Sequence, residues 1–188
     1  MSDYIYEEDF LSLEDCKRLI DYFKSQHVEN KRDNNVNPRF NNRVVYYEGV
    51  KDPEVKQIMK RVHTQVAKKL KDFYNEPGEI LPEASHLVKW PVGSSLGNHA
   101  DNAYEDGRPN YVHWRTYSAI VYLNDDYIGG EFYFKKLAYD LQPKSGLLVG
   151  FTAGMNHVHG VREIKSGTRY AFPMWFTDSI NKDKAYHD

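Results

Sequence analysis

The sequence predicts a mainly β fold in which N-terminal helices flank a jelly-roll core of two antiparallel sheets. Two amphipathic segments with helical spacing lie in the first part of the chain. After them, short β-rich runs alternate with glycine- and proline-containing turns, a pattern typical of a sandwich or barrel. We therefore expect a single domain over residues 1–188, with helical support and a loop over 1–80 and the jelly-roll core over 81–180.

Composition and charge restrict the class of protein. At 188 residues with 40% hydrophobic residues, the chain can bury one core of good size. Its formal net charge of −2 gives no general attraction to nucleic acid. The single cysteine, Cys16, excludes an intramolecular disulfide framework, and no apolar run is long enough to span a bilayer. The first residues lack the pattern of a secretory signal, so we expect a cytoplasmic protein without a membrane or nucleic-acid partner.

The first predicted helix begins after Ser12. Ser12 and Asp15 resemble a capping box, and the helix is expected to end before Asn30. Its apolar residues recur at helical spacing: Leu13, Cys16, Leu19, Ile20 and Phe23. The asparagine-rich stretch from Arg32 to Arg43 has no periodicity, which predicts a long exposed loop.

The second predicted helix has a clearer start. Asp52 suits the N-cap position and Pro53 the first helical position. One apolar stripe follows at helical spacing: Val55, Ile58, Met59, Val62, Val66, Leu70 and Phe73. The lysines alongside this stripe are expected to face solvent.

Six β-rich runs are predicted to form the strands of the core. They are Ala84–Val92, Thr116–Asn124, Glu131–Lys135, Leu147–Phe151, His157–Val161 and Thr168–Thr177. Glycine and proline turns separate them. Pro173 is unusual inside the last run, because proline donates no hydrogen bond to a sheet and prefers edges or bulges.

A set of candidate metal ligands lies after the first of these runs and within the fifth. His99 and Asp101 are two residues apart, so in a strand their side chains would point to the same face. A distant histidine, His157 or His159, completes two imidazoles and one carboxylate, the facial ligand set of non-haem Fe(II) sites. Both distant histidines would face the same way in a strand, so spacing alone does not choose between them.

Six short motifs then occur in a recognisable order. They are His99-Ala-Asp101, Tyr122-Leu-Asn124, Gly129-Gly-Glu131, Pro143-Lys-Ser-Gly146, His159-Gly-Val161 and Gly167-Thr-Arg169. From about Leu87 to Thr177 the chain thereby resembles the 2-oxoglutarate- and Fe(II)-dependent dioxygenases, specifically the prolyl 4-hydroxylase-like branch. The resemblance implies a double-stranded β-helix core, and oxygen chemistry at the metal.

The resemblance assigns roles to residues around the metal. It makes His99, Asp101 and His159 the metal ligands and leaves His157 either as a pocket residue or as a residue that supports the ligands from behind. Arg169 would pair its planar guanidinium with the 5-carboxylate of 2-oxoglutarate, and Tyr122 would add its hydroxyl to the same carboxylate.

Two further positions resemble the substrate-gripping pair of prolyl hydroxylases. Trp175 would pack on the target proline, and Arg115 would hold its backbone carbonyl. The segments Asn102–Trp114 and Asp33–Asn42 are candidate lids over the site, or ordinary surface loops. The chain departs from the family in one place near the co-substrate, where Trp90 replaces a frequent tyrosine.

The function that the resemblance implies is hydroxylation of an unactivated C–H bond, with a proline residue in a protein or peptide as the expected target. Fe(II), 2-oxoglutarate and O₂ would be required, with ascorbate as a candidate reductant. One alternative is the same chemistry on another side chain or on a free amino acid. Another is a catalytically silent jelly-roll binding module.

Overall fold

The chain folds as helices packed on a sandwich of antiparallel strands. The structure is a computed structural model and describes residues 3–26, 43–136 and 140–186. Its helices are α1 (Leu13–Ser25) and α2 (Pro53–Tyr74). Its strands are β1 (Ile5–Glu7), β2 (Val44–Tyr46), β3 (Ile80–Pro91), β4 (Leu96–His99), β5 (Tyr117–Tyr122), β6 (Ile128–Gly129), β7 (Phe132–Phe134), β8 (Leu148–Thr152), β9 (His159–Val161), β10 (Ile164–Ser166) and β11 (Thr168–Asp178).

Both helices begin where the sequence predicts. The Ser12 hydroxyl accepts a hydrogen bond from the Asp15 amide at 3.1 Å, and the Asp52 carboxylate accepts one from the Val55 amide at 3.0 Å. Each cap satisfies a helix N–H group that has no partner within the helix. The second helix ends at Asn75, which adopts the left-handed conformation favoured after a helix C-terminus.

The strands form one large sheet and two small ones, all antiparallel. The large sheet has the order β1-β8-β5-β11-β3-β2, and the small sheets have the orders β4-β9-β7 and β10-β6. One face of the large sheet packs against the apolar stripes of α1 and α2. Its other face packs against side chains of the small sheets, which forms a second core. The candidate site lies between the sheets, as in a jelly roll.

Five short strands lie outside the six predicted runs: β1, β2, β4, β6 and β10. β1 and β2 are three residues each and occupy the two edges of the large sheet. Segments this short carry too few residues to show an alternating pattern, so the neighbouring strand decides their conformation. The predicted loop from Arg32 to Arg43 lies outside the described residues, apart from Arg43. In the described part of the chain, no helix is both long and apolar enough to cross a bilayer.

Pro173 lies in a central strand, contrary to the usual preference of proline. β11 pairs with β5 through Pro173, opposite Ile120, whereas its pairing with β3 is interrupted between Ala171 and Met174. Phe172 and Pro173 therefore have no paired residue on β3. A proline is tolerated at this position because β3 needs no backbone N–H from it.

Candidate functional site

A cavity of about 490 Å³ opens between the large sheet and the small sheets. Alternate residues of the central strand line it, since side chains two apart in a strand face the same way. On β11 these residues are Arg169, Ala171, Pro173 and Trp175. The cavity therefore brings together Arg169, which was predicted to bind the co-substrate, and Trp175, which was predicted to bind the target proline.

The predicted triad meets at one point of this cavity. One ligand atom from each of His99, Asp101 and His159 lies within 4.8 Å of the other two. The His99 Nε2 atom is 3.6 Å from Asp101 Oδ1, and the His159 Nε2 atom is 3.9 Å from Asp101 Oδ2. His159 is buried, while the His99 side chain remains 31% exposed. A single cation at this point would contact all three side chains.

Backbone carbonyls and one hydroxyl orient the triad. The Nδ1 atom of His99 lies 3.0 Å from the Gly97 carbonyl, and the Nδ1 atom of His159 lies 2.8 Å from the His157 carbonyl. Because a carbonyl only accepts, each Nδ1 carries the proton and each Nε2 keeps a free lone pair. The Ser118 hydroxyl donates to Asp101 Oδ2 at 2.6 Å. The free lone pairs and the carboxylate thus point towards one another.

The charges at this point favour an ionised carboxylate beside a neutral His159 imidazole. Burial alone would raise the pKa of Asp101, but His159, His99 and the Ser118 hydroxyl outweigh it and lower that pKa. Burial lowers the pKa of His159 to about 4. At neutral pH the site therefore presents an ionised carboxylate and, at His159, a neutral nitrogen donor.

The prediction that His99 and Asp101 share one face of a strand was wrong. β4 ends at His99, and Asp101 lies in a bend after the strand instead of inside it. The backbone of the bend is fixed because the Asp101 amide donates to the Ala153 carbonyl at 2.9 Å. A turn, not strand alternation, aims this carboxylate at the imidazoles.

His157 does not face the same way as His159, as the strand argument assumed. Residues Met155–His157 form a 3-10 turn, and β9 begins only at His159. The His157 ring turns away from the cavity, with Nδ1 2.6 Å from the Thr152 hydroxyl. Its carbonyl, however, accepts from the His159 ring. His157 therefore supports the triad through its backbone.

Arg169 lies deep in the cavity with its charge unneutralised. The residue is only 2% exposed, and within the described residues no carboxylate forms an ion pair with it. Its guanidinium carbon is 5.0 Å from the centre of the Tyr122 ring and 5.4 Å from that of Trp90. The Nε and Nη1 atoms of Arg169 and the Tyr122 hydroxyl have no hydrogen-bond partner. A buried cation with free donors needs an anion from outside the chain.

Arg115 and Trp175 lie together at another part of the cavity wall. The Arg115 guanidinium carbon is 4.4 Å from the centre of the Trp175 ring, a cation–π distance. Glu83 holds the guanidinium from the other side, accepting from Arg115 Nε at 2.8 Å in a pair that is mostly buried. The His86 ring also packs against Trp175, with ring centres 5.4 Å apart.

The predicted lid segment Asn102–Trp114 borders the cavity. Its tip is closed by a bridge between Ala103 and Pro109. The Asn110 amide donates to the Asp101 carbonyl at 3.0 Å, and the Asn102 amide donates to the Arg115 carbonyl at 2.8 Å. This segment is thus tied to both the triad and the Arg115 wall, although its role as a lid stays a prediction. The other candidate lid, Asp33–Asn42, lies outside the described residues.

Sequence reasoning missed several residues of the site. Ser118 shares a strand face with Tyr122, four residues later, so strand alternation was a usable signal for it. Glu83 and His86 lie on β3, where their side chains carried no motif. Tyr127, next to the Gly129-Gly130 turn, also gave no signal, and its position beside Arg169 is known only from the structure.

The chain is similar to known oxygenases in sequence. The family model described as the 2OG-Fe(II) oxygenase superfamily matches residues 85–177. Human prolyl 3-hydroxylase 1 is 45% identical over 74 residues, which is 37% of this chain and 10% of that protein. The chain thus spans about a tenth of the length of the curated relatives it matches.

Solved structures share the fold over nearly the whole chain. The viral collagen prolyl hydroxylase vCPH from Paramecium Bursaria Chlorella virus-1, in complex with 2OG, has a TM-score of 0.70 at 18% identity, covering 93% of this chain and 96% of that one. A Trichoplax adhaerens prolyl hydroxylase in complex with a hypoxia inducible factor peptide has a TM-score of 0.69 at 17% identity, covering 98% and 88%. The sequence match identifies residues 85–177 as a 2OG-Fe(II) oxygenase domain, and the solved structures show that its fold is shared.

Proposed function

We propose that this protein hydroxylates a proline residue in a protein or peptide, using Fe(II), 2-oxoglutarate and O₂. The observation that carries this proposal is the convergence of three groups in one cavity: the His99, Asp101 and His159 triad, the unneutralised Arg169, and the Arg115–Trp175 pair. The 45% identity to prolyl 3-hydroxylase 1 over 74 residues supports proline as the target.

Fe(II) fits the triad by the chemistry of its donors. Two imidazole nitrogens with free lone pairs and one ionised carboxylate are the ligand set of non-haem Fe(II) oxygenases. Histidine ligands of a metal usually donate their other ring N–H to a fixed acceptor, which orients the ring. Here the His99 ring donates to the Gly97 carbonyl, and the His159 ring donates to the His157 carbonyl. We assign His99, Asp101 and His159 as the metal ligands.

2-Oxoglutarate fits the end of the cavity at Arg169. A dicarboxylate that reaches the metal with one end presents a carboxylate at the other, and this group matches the unneutralised guanidinium. The free Tyr122 hydroxyl is a second donor for the same carboxylate. Trp90, which replaces a tyrosine frequent in the family, gives an aromatic face over Arg169 instead of another hydroxyl.

Arg115 and Trp175 are suited to a proline residue at the cavity mouth. An indole offers a flat apolar surface to a pyrrolidine ring, and a guanidinium donates well to a backbone carbonyl. The Glu83 carboxylate fixes the guanidinium over the indole, so both groups are in place before substrate arrives.

The residues of the chain would position reactants and exclude water. Fe(II) bound with 2-oxoglutarate and O₂ supplies the oxidation that converts C–H to C–OH, with succinate and CO₂ as the other products. Asp101 stays ionised and is held by the Ser118 hydroxyl, so the site keeps one fixed negative charge. Val88, Phe132 and Ala171 line the cavity with apolar surface, which disfavours water beside the reacting carbon.

The test is release of succinate from 2-oxoglutarate in air with added Fe(II), with proline peptides and matched peptides carrying alanine in their place. We expect succinate release to rise only with the proline peptides, each gaining one oxygen in mass. Hydrolysis of the product and comparison with 3- and 4-hydroxyproline standards would give the ring position. Turnover that ignores the proline peptides would contradict the substrate, and no turnover with iron bound would contradict the enzyme.

A further inference from the structure

Tyr127 brings a second phenol next to Arg169, which lines the cavity. It lies between β5 and β6, is 7% exposed, and has a buried hydroxyl that finds no hydrogen-bond partner among the described residues. An ideal Cβ placed on Gly130 would lie 3.1 Å from Tyr127 Cε2 and 3.4 Å from Arg169 Cδ. Both side chains thus pass through the same small space. Gly130, at φ +70°, leaves that space open.

The free donors are concentrated at this place. In the part of the chain that the structure describes, six buried side-chain polar atoms lack a hydrogen-bond partner, and four of them belong to Arg169, Tyr122 and Tyr127. A buried donor left unpaired costs about 1–3 kcal/mol. Such a cluster needs acceptors from outside the chain, and a bound anion would supply them.

One carboxylate has the capacity to accept from a guanidinium and from two hydroxyls together. An ionised carboxylate accepts at about four lone-pair positions on its two oxygens. A guanidinium beside it fills at most two of these positions with a paired contact. Two positions therefore remain for the hydroxyls of Tyr122 and Tyr127.

We propose that the Tyr127 hydroxyl is a third contact for the distal carboxylate of 2-oxoglutarate, beside Arg169 and Tyr122. This inference rests on the proposed function, because it takes 2-oxoglutarate as the ligand of the cavity. Packing alone does not explain the hydroxyl: the Tyr127 ring belongs to the second core, where a phenylalanine ring would pack equally well.

The environment keeps this phenol a donor. Burial raises the pKa of Tyr127, and the charge of Arg169 only partly opposes that shift. The hydroxyl therefore stays protonated at neutral pH and donates to an anion, instead of competing with it as a phenolate.

The experiment is a calorimetric titration of 2-oxoglutarate into the full chain loaded with Mn(II) in place of Fe(II), so that no turnover occurs. The variants are Tyr127→Phe, Tyr122→Phe and, as a matched control, Tyr133→Phe on β7, whose ring packs against Arg162. Tyr127→Phe is expected to weaken 2-oxoglutarate binding about tenfold, the size of a hydrogen bond to a charged group. Its affinity for Mn(II) and its thermal midpoint without ligand are expected to match the wild type.

Two results would overturn the inference alone. The first is an unchanged 2-oxoglutarate affinity in Tyr127→Phe while Tyr122→Phe loses affinity. The second is an equal loss of Mn(II) affinity, since that would show a general distortion of the cavity. Failure of the wild type to bind 2-oxoglutarate would overturn the proposed function as well, so the two failures are distinguishable.

Discussion

The two ends of the cavity differ in how fully the protein satisfies their polar groups. At the triad, His99, Asp101 and His159 each have a hydrogen-bond partner from the chain. At the other end, Arg169 and Tyr122 keep donors without partners. The first end is preorganised by the fold, whereas the second is completed only by a ligand. Substitutions at the two ends should therefore change metal binding, ligand binding and stability in different ways.

The largest effect is expected for Asp101→Ala, which removes the one negative charge of the preorganised end. Turnover should fall about a thousandfold or more, because the metal loses its anionic ligand and its fixed geometry. Succinate release and Mn(II) affinity measure this. Asp106→Ala is the matched control, since Asp106 is an exposed aspartate of the neighbouring loop that pairs with Arg108. Full activity in Asp101→Ala would refute the assignment of the triad.

The next largest effect is expected for Arg169→Leu, which should lower the affinity for 2-oxoglutarate without lowering the stability of the free protein. Affinity for 2-oxoglutarate should fall about a hundredfold, as when one partner of a buried charge pair is removed. Without ligand, the variant should be at least as stable as the wild type, because a buried unpaired charge is replaced by an apolar side chain. Calorimetry and denaturant unfolding measure the two quantities. A large loss of stability without ligand would show that the fold itself satisfies Arg169, and the contrast between the ends would fail.

Ser118→Ala tests the preorganised end more finely. It removes the hydroxyl that donates to Asp101 Oδ2 at 2.6 Å and leaves all three proposed ligands in place. Loss of such an outer contact typically costs about tenfold in metal affinity. Mn(II) titration should show this loss, while 2-oxoglutarate affinity at saturating Mn(II) stays near the wild-type value. Equal weakening of both ligands would mean that the two ends are not independent.

The smallest effect concerns the Arg115–Trp175 wall of the cavity, where His86 packs against Trp175. Burial lowers the pKa of His86 to about 3, from an ordinary value of 6.5, and the charge of Arg115 adds to the shift. Its stabilising contribution is thus complete above pH 6.5 and is lost as pH falls towards 3, because the unfolded chain takes up the proton first. The free energy of unfolding, measured in urea, should therefore fall less steeply with decreasing pH for His86→Asn than for the wild type. The exposed His113 provides the control in His113→Asn, and identical slopes for wild type and His86→Asn would contradict the prediction.

Local signals in the sequence predicted the regular elements well. Ser12 and Asp52 start the two helices as predicted, because a cap is set by contacts within a few residues. The predicted run Thr168–Thr177, which carries Arg169 and Trp175, is β11 in the structure. The ordered motifs predicted which distant residues meet, although the position of Asp101 in a bend was missed. A bend after a strand depends on tertiary contacts, such as that to the Ala153 carbonyl, and no periodicity announces it.

The same limit explains the residues that were missed. His157 and His159 could not be separated by spacing, because a 3-10 turn interrupts the expected strand between them. Glu83 and Tyr127 gain their importance from Arg115 and Arg169, which are distant along the chain. Their roles follow from packing between elements, which a single sequence does not display.

The central strand β11 has a consequence for how this protein can evolve. It carries Arg169 and Trp175, six residues apart, which at about 3.3 Å per residue is about 20 Å along the strand. Strands on both sides hold it in register, so this spacing is fixed by the sheet. On the proposed role of Trp175, substitutions around it would change which target is accepted without moving Arg169. Gene duplicates built on this strand could diverge in target while inheriting co-substrate recognition intact.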